Sequence, residues 1–119
     1  DRARIASNRG YSHNDLAKVL SRVGMLIALR THSLILAAAA GTPVGCVVSY
    51  PKNRGFMRSI DMGDQALEFA DFSAGSYWGL VERTWRRRAE LRARLLPAVA
   101  REKEKARGSA GLLAPFIER

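Results

Sequence analysis

Arg30 and His32 stand two residues apart, and Lys52 and Arg54 repeat that spacing later in the chain. An arginine offers a planar, two-pronged donor that fits a carboxylate or a phosphate. A histidine donates a hydrogen bond or moves a proton near neutral pH, and a lysine neutralises an oxyanion. Brought together with no nearby Asp or Glu, four such groups would make a seat for a small dianion. The other reading pairs Arg30 with an acidic residue and makes His32 a hydrogen-bonded turn residue, and spacing alone does not choose between them. Other chemistries lack their residues. There is no Cys or His cluster at zinc spacing, no phosphate-loop glycine pattern and no G-x-G-x-x-G. No paired carboxylates suggest glycosidase-type work. The second histidine, His13, reads as a surface residue of a helix start, so no Ser–His–Asp assembly can be proposed.

These cations need elements to carry them. Met25 to Leu29 is a short unbroken apolar run, the pattern of a buried strand. Thr31 or Ser33 is placed to cap a helix, Leu34 to Ala40 is helix-forming, and Gly41 followed by Pro43 stops it. Val44 to Val48 makes a second buried strand. A strand–helix–strand unit of this length pairs its strands in parallel with a right-handed crossover, and ligands collect at the carboxyl ends of such strands. Arg30, His32, Lys52 and Arg54 all fall at that edge. The tip of the helix after Arg30 adds free N–H groups that favour an anion. The fold class is therefore α/β, a Rossmann-like parallel sheet with flanking helices and a long basic C-terminal helix.

On either side the signals are mixed. Asp1 to Gly10 reads as the end of a strand. Ser12 with Asp15 fits a capping box opening a helix that lasts to Gly24, with Leu16, Val19, Leu20 and Val23 on one face. Pro51 ends the second strand. Asn53 to Ile60 predicts a short helix with Phe56, Met57 and Ile60 inward, closed by Gly63. Ala66 to Phe72 predicts a short edge strand or an extended link. Ser73 and Ser76 offer caps for a long helix carrying Trp78, Val81, Trp85, Ala89, Leu95, Leu96 and Val99 on one stripe, with the tryptophans as packing anchors. Arg83, Arg86, Arg87, Arg92 and Arg94 take the other sides. Pro97 should kink or restart this helix, Gly108 to Gly111 should break it, and Leu112 to Ile117 should dock as a last apolar turn. Residues 1–72 form the core and residues 73–119 a helical segment packed on it, one domain in all.

The totals agree with one globular unit: 119 residues, 47% hydrophobic. No apolar run reaches the roughly 18 residues of a membrane span. The first residue is Asp, which suggests a piece of a longer chain or a trimmed one. Cys46 is the only cysteine, reads as core filler, and points to a reducing, cytoplasmic setting. The net charge of +9 calls for an anionic partner. In the C-terminal third, however, the arginines are interleaved with Glu82, Glu90, Glu102 and Glu104. That is the pattern of a solvated helix face more than a nucleic-acid stripe, and it leaves an anionic membrane surface as a partner for the C-terminal helix.

The run LIALRTHSLILAAAAGTPVGCVVSYPKNRGF is similar to the C-terminal signature of the polysaccharide pyruvyl transferases: a strand ending in G-M-R-x-H, then A-L-I-L-A-A-A-A-G-x-P-V, a strand, and Y-x-P-K. Arg30 and His32 match the R-x-H pair, Leu34 to Gly41 the small-residue helix, Pro43 and Val44 the P-V, and Tyr50, Pro51 and Lys52 the tyrosine and P-K. The resemblance covers roughly Ser12 to Leu96. Ala28 and Leu29 replace the family's Gly and Met, and the segment from Tyr50 to Lys52 is one residue shorter.

The resemblance implies half of a two-domain, GT-B-like enzyme that moves a pyruvyl group from phosphoenolpyruvate onto a sugar hydroxyl pair of a cell-surface polysaccharide. It implies Arg30 and His32 as catalytic residues, and Arg30, Thr31, His32, Lys52 and Arg54 as the phosphoenolpyruvate-binding set. Phosphoenolpyruvate is the co-substrate, with no metal or further cofactor. A saccharide or lipid-linked saccharide acceptor would meet a missing N-terminal domain, in the cytoplasm at the inner face of the membrane. Two other readings stay open: a GT-B glycosyltransferase C-terminal domain, which here lacks the expected ribose-holding acid, and a basic module binding nucleic acid or an anionic surface.

Overall fold

The structure is a computed structural model that describes residues 3–7 and 9–117, with side chains described through residue 111. Three strands form a parallel sheet in the order β1-β2-β3: β1 (Leu26–Ala28), β2 (Val44–Val48) and β3 (Ala66–Glu68). Leu26 lies opposite Val44, and Cys46 opposite both Ala28 and Ala66. Helices α2 (Thr31–Ala39) and α3 (Pro51–Ser59) connect the strands. Helix α1 (His13–Leu20) precedes the sheet, and α4 (Ala74–Arg86) and α5 (Arg88–Ile117) follow it. The architecture is α/β, a parallel sheet flanked by helices with a long C-terminal helix, and it fits a Rossmann-like fold.

Period-two alternation along the central strand β2 divides the interior. Val44, Cys46 and Val48 join the core made with Leu34, Ala37 and Ala38 of α2, Met57 of α3, and Leu91, Leu95 and Val99 of α5. On the opposite face Gly45 looks toward α4, where a methyl group would sit 2.6 Å from Ile27 Cδ1 and 3.2 Å from Thr84 Oγ1. A side chain at Gly45 would displace Ile27 and press on Thr84 of α4.

Both connecting helices end in a Schellman motif. At the end of α2, Gly41 (φ +82°) donates to Ala38 O at 2.9 Å and Thr42 to Ala37 O at 3.0 Å. At the end of α3 the left-handed residue is Asp61 (φ +58°), not Gly63, which instead opens a 3-10 turn. The Ser12–Asp15 capping box is present.

Several expectations are corrected. Among the described residues up to Gly10 there is no strand. Helix α1 stops at Leu20, whose carbonyl accepts from the Thr42 hydroxyl at 2.6 Å, and Val19 and Val23 are exposed. Strand β1 is only three residues long and half-buried, because it is the sheet edge and α4 covers β2 and β3 instead. Arg30, not Thr31 or Ser33, is the N-cap of α2. Helix α3 starts at Pro51, with Phe56 partly buried and Met57 and Ile60 buried. The expected single long helix breaks at Arg87 rather than Pro97. Leu95, Ala98 and Val99, buried on both sides of Pro97, keep the chain helical through it. Helix α5 also continues past Gly108 and Gly111, flanked by strong helix formers. The docking of Leu112 to Ile117 lies outside the described side chains.

Candidate functional site

Two helix tips meet at the carboxyl edge of the sheet. After β1, Leu29 and Arg30 lead into α2, and Arg30 keeps extended backbone as its N-cap. The first helical bond runs from the Leu34 N–H to Arg30 O at 3.3 Å. No side chain caps this tip and no acid stands in its first turn, so the N–H groups of residues 31–33 have no helical partner. After β2, Ser49 and Tyr50 lead into α3 with Pro51 in its first turn, again without a side-chain cap or an acid. Both tips carry positive partial charge.

A hollow of about 340 Å³ lies between them, lined by Arg30, Thr31, His32, Tyr50 and Lys52. That volume is at the small end of small-molecule sites, which run from roughly 300 to 1,000 Å³. No carboxylate among the described residues lines it. Among the described residues, Arg30, His32 and Lys52 take part in no ion pair. The arrangement can hold a small ligand bearing two anionic groups, with a two-pronged donor, an imidazole and an ammonium on its walls.

Arg54 is not part of this hollow. Its guanidinium donates twice to Glu68, Nε to Oε1 and Nη2 to Oε2, each at 2.7 Å. Lys52 and Arg54 are both on α3, where residues two apart point about 200° from each other. So Lys52 lines the hollow, while Arg54 ties α3 to the end of β3. The Arg54 hydrogen bonds hold the Glu68 carboxyl below its usual range.

Sequence reasoning missed Asn53. It is fully buried. Its Nδ2 donates to Leu29 O at 2.7 Å, and its Oδ1 accepts from the Thr31 hydroxyl. A single polar residue in a short helix has no periodic signature, so nothing in the sequence marked it.

The tryptophans anchor the packing only in part: the Trp85 ring lies against Gly24, where a methyl group would come within 2.7 Å of it, and Trp78 is mostly exposed. Helix α4 buries Leu80 and Thr84 and leaves Trp78 60% and Trp85 48% exposed, because its inner face meets β2 and β3. They line a second hollow with Met25, Val81, Glu82 and Arg86, and Arg88 lies 3.9 Å over the Trp85 ring. Cys46 is wholly buried. Burial, helped by the Glu68 charge, pushes its thiol up to about 11, so it is no nucleophile. From the break at Arg87 into α5, arginines are tied to acids: Arg87 to Glu90 and Asp64, Arg94 to Asp64, and Arg101 to Asp61. Among the described residues no group of three or more His, Cys, Asp or Glu is placed to hold a metal ion, and no helix is long and apolar enough to cross a membrane. No protein-family model and no solved structure matches the chain.

Proposed function

We propose that the hollow between the tips of α2 and α3 binds phosphoenolpyruvate, and that the chain is the donor-binding portion of a polysaccharide pyruvyl transferase, the C-terminal half of a GT-B-like enzyme. The observation that carries this reading is the convergence of Arg30, His32 and Lys52 with two uncapped helix tips on a hollow without a carboxylate. Phosphoenolpyruvate has two anionic groups on a short frame, one for each wall. Arg30 grips one with two parallel hydrogen bonds, and Lys52 neutralises the other.

In the reaction, a proton delivered to the methylene carbon leaves an oxocarbenium-like centre at the carbon bearing the phosphate. A sugar hydroxyl adds there and returns a proton to His32, the carbon–oxygen bond to the phosphate breaks, and a second hydroxyl closes the ketal, its proton leaving with inorganic phosphate. His32 is the proton donor and then a hydrogen-bond donor to the leaving phosphate. Thr31 contributes its backbone N–H at the helix tip. The saccharide or lipid-linked acceptor is held with a second half supplied by residues outside this chain, in the cytoplasm at the inner face of the membrane.

A thermal-shift titration with phosphoenolpyruvate, nucleotide-sugars and short DNA tests the reading. Phosphoenolpyruvate should raise the melting temperature. A rise with a nucleotide-sugar alone, or a salt-sensitive rise with DNA alone, would overturn it in favour of a glycosyltransferase domain or a basic binding module.

A further inference from the structure

The two walls of the hollow belong to different helices, which pack on β2 through the shared core, but no strand pairing reaches the segments at their tips. The β1–β2 ladder ends at Ala28 opposite Cys46, so the segments carrying Arg30 and Tyr50 both lie beyond it. We propose that Asn53 is the positioning residue that fixes the spacing of the two walls. It does so by clamping the chain on either side of Arg30.

Asn53 belongs to the α3 wall. It follows Lys52 directly, and its own N–H donates to Tyr50 O at 3.0 Å. Its side chain crosses to the α2 wall, where Nδ2 donates to Leu29 O at 2.7 Å and Oδ1 accepts from the Thr31 hydroxyl. Leu29 and Thr31 are the neighbours of Arg30 in sequence, so one buried amide holds the backbone just before and just after the guanidinium-bearing residue.

The chemistry of the position is demanding. An amide offers a donor and an acceptor at the end of one short stem. Aspartate would lose the donor to Leu29 O and place a negative charge behind an anion seat. Leucine would lose both bonds and leave the Leu29 carbonyl without its partner. The Thr31 hydroxyl is also committed to Asn53, so it orients the helix tip instead of meeting the ligand.

This inference rests on the reading of the hollow as a seat for a ligand with two anionic groups. A ligand that touches both walls depends on their separation, whereas inorganic phosphate, which needs only one, does not. The experiment measures dissociation constants of phosphoenolpyruvate and inorganic phosphate by titration calorimetry for the parent chain, Asn53→Ala, Arg30→Ala and the double variant. Asn53→Ala should weaken phosphoenolpyruvate about tenfold or more and leave inorganic phosphate within about threefold. On the Arg30→Ala background it should cost nothing further, because it acts through Arg30.

Equal losses for the two ligands, or additive losses in the double variant, would mean a merely structural role and overturn the proposal. Should Asn53→Ala not fold, Thr31→Val decides. It removes one of the two bonds at a partly exposed position, and it should reproduce the selective loss while Thr31→Ser restores it. Failure of either overturns the proposal. A parent chain that binds neither ligand refutes the dianion seat itself and this inference with it. A parent that binds phosphoenolpyruvate but is indifferent to the Asn53 and Thr31 changes refutes the positioning alone.

Discussion

Replacing Arg30 by alanine probes the hollow at its most directional group. Arg30 lines the site and has no acidic partner among the described residues, so its guanidinium is available to an anion. Hydrogen bonds to charged groups contribute about 1.5–3 kcal/mol each. Arg30 is exposed, and solvent screening brings a two-pronged grip down to about 2.7 kcal/mol in all. That is about a hundredfold in dissociation constant. At phosphoenolpyruvate near 100 times the parent's dissociation constant, binding stabilises the parent by about 2.7 kcal/mol and the variant by about 0.4 kcal/mol. At roughly 4 °C per kcal/mol for a domain of this size, the ligand should raise the melting temperature by about 11 °C in the parent and about 2 °C in Arg30→Ala. Differential scanning fluorimetry with and without ligand reads both.

Arg54→Ala is the control that the structure supplies, because Arg54 is engaged with Glu68 outside the hollow. Its own melting temperature should fall, with the ligand-induced rise intact. If Arg30→Ala keeps the full rise, or Arg54→Ala loses it, the site has been placed wrongly.

Three further outcomes can be checked. Gly45→Ala should destabilise by about 1–3 kcal/mol in urea unfolding, since the new methyl meets Ile27 Cδ1 at 2.6 Å, and adding Ile27→Val should recover part of the loss. Additive effects would show that this contact is not the cause. Partial burial pushes the Asp64 carboxyl up, but the hydrogen bonds and charges of Arg94 and Arg87 outweigh it and hold it below the usual carboxylate range. The stabilisation is therefore fully present above the unfolded carboxyl's pKa and lost as pH falls through the lower native one. Asp64→Asn should melt lower than the parent at neutral pH and converge with it in strong acid, and a constant gap at all pH would contradict the ion pairs. Cys46, buried with its thiol pushed up to about 11, should resist a thiol reagent in the native protein and react once urea unfolds it. Rapid labelling of native protein would refute the burial.

The signals that were legible in the sequence are local ones. The apolar run of Val44 to Val48, the helix stop at Gly41 and Pro43, and the Ser12–Asp15 box each act within a few residues, and the parallel β1–α2–β2 unit follows from them. The position of Arg30, His32 and Lys52 at the carboxyl edge follows from the same unit. The flank of α4 was illegible for a different reason: an apolar stripe shows which residues share a face, but not which face finds a neighbour. Trp78 and Trp85 share a face that stays about half exposed, with Gly24 and Arg88 against the Trp85 ring.

From the sequence alone came the parallel β1–α2–β2 unit, the stop of α2 at Gly41 and the Ser12–Asp15 cap, because these answer to side chains close by in the chain. Only the tertiary structure removed Arg54 from the site, by bringing Glu68 to it across fourteen positions, and revealed Asn53, whose partners lie 22 and 24 residues away. Such pairings form when distant segments pack together. A hydrogen bond between them leaves no periodic trace in either segment.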